Sequence, residues 1–592
     1  MCGIAGIVMR NDAAPDASVL DALEAALGHR GPDGSGRHVD GAVGLVQTRL
    51  AIIDLETGDQ PLHARGPRGG LVTLIGNGEI YNYRELRGDF SDGTFETASD
   101  CETPLHLYLR HGLDFARHLR GMYSFAIHDP QTDRLILSRD PFGIKPLYFT
   151  KTKHVFAFAS EPQALIKAGL VAAELDADKA RELLHLQFTT GAGTPFAGIE
   201  RIAPGETLVV RSGRIIERRR LPALPSTSPQ DRSTEDALAA LDQAFGESVE
   251  MHQRADVPYG MFLSGGIDSS ALVAMMERLN DKPVQAFTIG FGEASGVPDE
   301  RQHAKRVAKA AKAEHTEVSF GEDDFWALLP RVAASLDDPV ADYATVPTYK
   351  LAAAVKDAGL KVVLSGEGGD EMFAGYGRYR RALRPWLLGG RRMRQQGILD
   401  GFGVLREDTP AWRDGIAERE QNLPTNFSPL QGQQALDCAD WLPNDLLTKV
   451  DRCLMAHGIE GRVPFLDVPF AAFAFPLPDR LKIQKRTGKW LLRKWLEKHL
   501  PASDPFSPKR GFTVPVGSWI AKEGARLGPL VANQPGIAQL CRTETVAALF
   551  RATGKREAMA QWSLLFYALW HNHHMLGRPA AGSVFEALER SG

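Results

Sequence analysis

Over roughly the first 200 residues the apolar positions fall into short runs of strand character, broken by Gly, Pro, Asn and Asp. Residues 4–8, 71–75, 123–128, 134–138 and 155–159 read as strands. The turn-forming run Asp129-Pro130-Gln131-Thr132-Asp133 predicts a hairpin between two of them. Helical spacing interrupts the strands at Ala17–Leu27 and again at 103–111. From residue 234 the pattern changes. Apolar strands at 258–263, 284–291, 314–320 and 361–364 now alternate with helical stretches such as 271–278, the signature of a parallel α/β sheet. Beyond about residue 380 the chain reads as mainly helical, and the stripe Trp562, Leu565, Phe566, Leu569, Trp570 reads as core packing. Residues 211–231 are polar and carry Arg218-Arg219-Arg220 with Pro222, Pro225 and Pro229, which predicts a linker. The expected division is therefore 1–210, a linker over 211–233, and 234–592.

Composition narrows the class. A chain of 592 residues exceeds what one core supports. Its 43% hydrophobic and 24% charged content is that of an ordinary globular protein, and a net charge of −4 argues against nucleic-acid or membrane-surface partners. The five cysteines lie far apart with no CxxC pair, so neither a disulfide framework nor a cysteine zinc site is indicated. With no secretion signal and no apolar run of spanning length, the cytoplasm is the expected location.

Three segments carry chemistry. Cys2 follows only Met1, so removal of the methionine leaves a thiol and a free α-amine on one residue. That amine titrates at roughly 7.7–8.0 and can shuttle protons for the thiol nucleophile; a buried small hydrophobe is the bland alternative. The segment Leu263-Ser264-Gly265-Gly266-Ile267-Asp268-Ser269-Ser270 lies between a predicted strand and helix. Glycines and serines there suit phosphate at a helix N-terminus. Without a Walker lysine, the loop suits pyrophosphate as a leaving group, hence attack at the α-phosphate of a nucleotide; it reads equally as a tight turn with a capping serine. A second loop, Ser365-Gly366-Glu367-Gly368-Gly369-Asp370-Glu371, also follows an apolar strand. Loops at the carboxyl ends of parallel strands line the ligand crevice, so Asp268 and Asp370 are candidate Mg²⁺ ligands.

Together these motifs, in this order, resemble the glutamine-dependent asparagine synthetases of bacterial type. The resemblance runs from Cys2 to about residue 565. It implies an α+β N-terminal-nucleophile domain, an αββα sandwich of the class II glutamine amidotransferases, followed by an α/β parallel-sheet PP-loop domain with a helical C-terminal part. Cys2 is then the nucleophile. Arg49, in Thr48-Arg49-Leu50-Ala51-Ile52-Ile53, grips the glutamine carboxylate with Ile53 beside it, and Asn77 and Gly78 supply the oxyanion hole. Glu79 and Asp100 hold the substrate amine, and His29-Arg30-Gly31-Pro32-Asp33 matches a loop near the site. In the second half Leu263, Ser264, Gly265, Gly266, Asp268, Ser269 and Ser270 bind ATP and its Mg²⁺, and Ile289, Ser365 and Gly366 meet the adenosine part. Glu367 is the acid–base residue, and Lys509 stabilises charge on the transferring phosphate. Asp451, Arg452, Glu460, Arg462 and Asp467 match a family signature and are expected to organise the acceptor site. The implied partners are glutamine, aspartate and ATP, with a homodimer as the implied assembly and Mg²⁺ as cofactor. The segments 292–300, 391–410 and the tail after 576 depart from the family pattern. Alternatives are an amidotransferase for another acid, a β-lactam-type cyclase, which Cys2 argues against, and a catalytically silent scaffold. His571, His573 and His574 are expected at a solvated helix end rather than on a metal.

Overall fold

The computed structural model describes the chain except for residues 1, 12, 67–68, 292–300, 385–392, 408, 508–513 and 591–592. Lys509 therefore lies outside the described residues.

The first 220 residues form two stacked six-stranded antiparallel sheets. The first runs Ile199–Arg201, Tyr148–Lys151, Val155–Ala159, Gly3–Met9, Val43–Arg49, Gly34–Asp40 in spatial order; the second runs Arg214–Arg220, Glu206–Arg211, Arg134–Arg139, Gly121–Asp129, Leu71–Ile80, Leu62–Arg65. Alternate residues of both sheets, among them Ile4, Leu45, Ile75, Ala126, Leu137, Phe156 and Phe158, interlock between them. The helix Ala17–Leu27 covers the first sheet, and Glu102–His111 packs on the second. This is the expected αββα sandwich. Arg214–Arg220, read from its charge as linker, is instead the edge strand of the second sheet. Its arginines suit an edge that must refuse further pairing, while Ile215 turns toward the inter-sheet core.

The second half is built on a five-stranded parallel sheet, ordered Glu314–Phe320, Gln285–Phe291, Tyr259–Phe262, Val362–Leu364, Glu460–Arg462. From the central strand Tyr259–Phe262 the chain winds outward to one side, then returns to the other through Val362–Leu364. The strand order thus reverses between Tyr259–Phe262 and Val362–Leu364, and the two loops singled out in the sequence leave these two strands on either side of that switch point. Helices dominate after residue 410. One of them, Asp437–Leu447, is an 11-residue π-helical stretch containing Pro443; such winding is rare and concentrates at functional sites.

The helix Lys555–His574 buries the Trp562–Trp570 stripe as expected, but its end is not solvated. His571 and His574 are buried, and burial depresses both, His571 to about 4. The apolar packing continues one turn past the stripe, and His574 Nε2 meets the carbonyl of Ala333 (3.1 Å). No described helix is long and apolar enough to cross a membrane.

Candidate active sites

Cys2 precedes the Gly3–Met9 strand and is 8% exposed. Its nitrogen donates to Asn77 Oδ1 (3.1 Å), its carbonyl accepts from Arg30 Nε (3.2 Å), and the Leu50 amide points at its thiol. Burial raises the thiol pKa, opposed by nearby positive charge that includes Arg49. Asn77, Gly78 and Glu79 fall inside the strand Leu71–Ile80, which runs longer than its pattern suggests. Gly78 is required by close approach: a Cβ there would lie 2.1 Å from the Met122 carbonyl of the next strand. Arg49 pairs with Asp59 (2.6 Å) and donates to the Asp54 carbonyl. Asp59 is 83% exposed, so an incoming carboxylate can displace it at little cost. Ile53 is buried in the core cluster that holds Leu50 and Tyr81. Asp100 accepts from the Ile80 amide (2.7 Å), and burial pushes its pKa up to about 6.

The five signature residues of the second half do not line the cavity at the switch point of the parallel sheet; they face the first half. Asp451 takes both guanidinium nitrogens of Arg30 (2.8 and 3.0 Å). Arg452 pairs with Asp337 (2.7 Å), beside Glu161, which Arg30 also holds (2.7 Å). Arg462 lies between Glu460 (2.6 Å) and Glu79 (3.1 Å), and Asp467 binds Arg120 (2.9 Å). All these groups are buried or nearly so, where a charge is tolerated only with a partner. Burial works against ionisation of Glu460, but Arg462 holds it at about 2. Burial keeps Glu79, sharing the same guanidinium, well above the ordinary carboxylate range. The expectation that these five organise an acceptor site thus gives way to a role at the contact between the halves. Their sheet strand still reaches the second site, because the Arg462 carbonyl accepts the Ser365 amide (2.8 Å).

That second site is a cavity of about 550 Å³ at the switch point. Leu263, Ser264, Gly265, Gly266, Asp268, Ser269, Ile289, Ser365, Gly366, Glu367 and Asp370 all line it. Gly265 adopts φ +70°, a conformation that favours glycine and turns the loop into the helix Ile267–Leu279. Ser264 Oγ and Ser269 Oγ lie 3.0 Å apart across the loop. Ser270 is the exception: the helix starts three residues before it, which places its hydroxyl in the protein interior, away from the cavity. Glu367 is raised above the usual carboxylate range by burial, opposed by Lys449, which itself binds Asp342 (2.8 Å).

Sequence reasoning passed over Lys489. Its ammonium pairs with Asp370 (2.8 Å) and with Asp268. Burial opposes the charge, yet the two carboxylates hold the lysine above its usual pKa. Lys489 sits in the left-handed region at φ +57°, immediately before the helix Trp490–His499, a strained conformation of the kind kept at functional positions. The Gly488-Lys489-Trp490 turn carried no recognisable pattern beyond an isolated glycine. Asp342, Lys449 and Trp441 of the π-helical stretch also face the cavity.

Residues 240–572 match the family described as asparagine synthase, and residues 1–220 match the glutamine amidotransferase domain. A putative glutamine-hydrolyzing asparagine synthetase of Mycobacterium tuberculosis is 34% identical, with 96% of this chain and 97% of that protein covered. A glutamine-hydrolyzing asparagine synthetase of Bacillus subtilis is 31% identical over 97% and 96% of the two chains. An amidase of Penicillium rubens is 33% identical over 79% and 80%. With a family match over more than half its length and relatives that align nearly end to end, the chain belongs to the asparagine synthase family and carries a glutamine amidotransferase domain ahead of the synthase region.

Proposed function

We propose that this enzyme makes asparagine from aspartate, with glutamine as nitrogen donor and ATP as energy source. After loss of Met1 the Cys2 amine takes the thiol proton, and the thiolate attacks the glutamine side-chain amide. Arg49 holds the substrate carboxylate, Glu79 and Asp100 its ammonium, and Asn77 with Gly78 stabilises the oxyanion. Ammonia leaves, and water cleaves the γ-glutamyl thioester to glutamate. Ammonia must travel inside the protein, since in water near neutral pH it is mostly protonated.

At the second site the β-carboxylate of aspartate attacks the α-phosphate of ATP, giving an acyl-adenylate and pyrophosphate. The amides and hydroxyls of 264–269 receive the pyrophosphate. Asp268 and Asp370 converge on one cation, the Lys489 ammonium, so the pair suits a divalent ion as well. Mg²⁺ held there would neutralise the triphosphate. Glu367, with its elevated pKa, accepts the proton that ammonia sheds as it attacks the acyl carbon, releasing asparagine and AMP. In this reading Lys509 adds positive charge at the phosphate, the glutaminase unit covers 1–210 plus its edge strand, the synthetase unit covers 234–592, and the enzyme works as a cytoplasmic homodimer. All five cysteines are buried free thiols, which agrees with a reducing compartment.

The observation that carries this reading is the pairing in one chain of a buried Cys2 fixed by Asn77 and a phosphate loop that faces Glu367 across a cavity. A second reading keeps the chemistry and changes the acceptor: the Penicillium amidase is as similar in identity as the synthetase relatives, so identity does not choose between acids. Pyrophosphate release from ATP with aspartate, compared with other carboxylic acids and glutamine as donor, separates the two. Release with aspartate and formation of asparagine supports the first reading; glutaminase activity with an inert aspartate moves the reading to another acid.

A further inference from the structure

Away from both sites, three histidines and an aspartate gather where the two sheets of the N-terminal sandwich meet at their edges. His63, Thr73 and His128 are opposite one another on three adjacent strands of the second sheet, so all three share one face. His38 and Asp40 are two residues apart on Gly34–Asp40, the edge strand of the first sheet, and also share a face. The two edges touch, since a Cβ on Gly36 would lie 1.9 Å from the Gln60 carbonyl just ahead of the Leu62–Arg65 strand. The His38 ring therefore sits between the other two, 5.8 Å from His63 and 5.6 Å from His128 by ring centres.

The geometry points to a site for one divalent transition-metal ion of the Zn²⁺ class, bound by His38 Nε2, His128 Nδ1 and Asp40, with solvent completing the tetrahedron. His38 Nε2 and His128 Nδ1 are 3.4 Å apart. Two nitrogens at bond lengths of about 2.1 Å on a tetrahedral ion are separated by about 3.4 Å. Asp40 Oδ2 lies 4.0 Å from His128 Nδ1 and belongs to a half-exposed side chain that can close the remaining gap. These ligand atoms all fall within 4.8 Å of one another, the one such group of three among the described residues. His63, held by its Nδ1 contact to Thr73 Oγ1 (3.0 Å), flanks the His38 ring on its other side. Imidazole with one carboxylate suits Zn²⁺, Co²⁺, Ni²⁺ or Cu²⁺, and is a poor match for Mg²⁺ or Ca²⁺. Bound there, the ion ties the outer strand of one sheet to the Gly121–Asp129 strand of the other. That strand pairs with Leu71–Ile80, which carries Asn77 and Gly78.

The test is a Co²⁺ titration of the full-length Cys2→Ala protein, which removes the thiolate as a competitor, with millimolar Mg²⁺ present to fill the carboxylate sites. The expected result is one tightly held Co²⁺ per chain with the intense visible absorption of tetrahedral coordination, displaced by Zn²⁺. His38→Gln and His128→Gln should each weaken binding at least tenfold, and Zn²⁺ should raise the melting temperature of the parent by several degrees but not that of the variants. His38 is only half-buried, so His38→Gln keeps the test alive if His128→Gln fails to fold. Absence of stoichiometric binding, or the same spectrum and affinity in His38→Gln, would overturn the proposal and leave an ordinary imidazole–imidazole hydrogen bond.

Discussion

Around Cys2, Arg30 and Glu79 each take a charged partner, Asp451 and Arg462, from the other half of the chain. Around the loop 264–270, Asp268, Asp370 and Lys489 all come from the second half and pair among themselves beside an open cavity of about 550 Å³. The first site is complete only when the halves are docked; the second needs no residue of the sandwich among those lining it. A site that must confine ammonia benefits from a buried, fully paired wall. A site that admits a polyanion benefits from cations held ready by carboxylates that a divalent ion can take over.

Several changes should break this contrast in different places. The largest effect belongs to Cys2→Ala. Glutamine-dependent synthesis should fall on the order of 10³-fold or more, while synthesis from ammonium salts stays within about twofold, because the phosphate site does not depend on the thiol. Steady-state rates with each nitrogen source check this, and a parallel loss would show that the sites are not separable.

Next is Arg462→Met, which strands Glu79 and Glu460 in the interior. Breaking such a buried pair costs about 3–5 kcal/mol, so the urea midpoint should drop sharply and both activities should fall together. An unchanged midpoint would deny the arginine its role between the halves.

Lys489→Met should act on one side only. Loss of a preorganised cation at the phosphates predicts about a 10²-fold fall in kcat/KM for ATP, with glutaminase activity retained. A glutaminase defect of the same size would contradict the independence of the second site.

A further prediction is read from pH dependence and concerns Glu371, at the end of the acidic loop. Burial raises it to about 8, and its Oε1 accepts from the Tyr376 hydroxyl (2.8 Å). The folded protein therefore keeps this proton up to about pH 8, while the unfolded chain releases it near 4.5. Its contribution to stability is fully present below pH 4.5 and is lost as pH rises through 8, by at most about 1.4 kcal/mol per pH unit. Glu371→Gln should flatten the fall in urea midpoint between pH 5 and 8; parallel curves for the two proteins would rule the group out.

Much of both candidate sites is visible in the sequence because their signals are local. Cys2 is marked by position, and Ser264–Ser270 and Ser365–Glu371 by glycines and acids at strand ends. The alternation that predicted the α/β sheet survives because the inner parallel strands, Tyr259–Phe262, Gln285–Phe291 and Val362–Leu364, are mainly apolar and buried. What the chain conceals are pairings. Asp451 meets Arg30 across 421 positions, and nothing near either residue announces the other. A buried ion pair and a solvated charge look alike in sequence, which is why Asp451, Arg452, Glu460, Arg462 and Asp467 suggested an acceptor site rather than a contact between halves. Charge misled in the same way at Arg214–Arg220, where polarity marks a sheet edge, and at His571 and His574, which the packing of the last long helix encloses. His38, His63 and His128 are invisible as a group until strand register brings them together.

The most direct test of the account supplies glutamine labelled with ¹⁵N in its side-chain amide, together with aspartate, ATP, Mg²⁺ and unlabelled ammonium in limited excess. Asparagine should carry most of its amide nitrogen from glutamine, with AMP and pyrophosphate formed one for one, because the nitrogen passes from Cys2 to the phosphate site without entering the solvent. Asparagine labelled only in proportion to the mixed ammonia pool, or no asparagine at all, would contradict it.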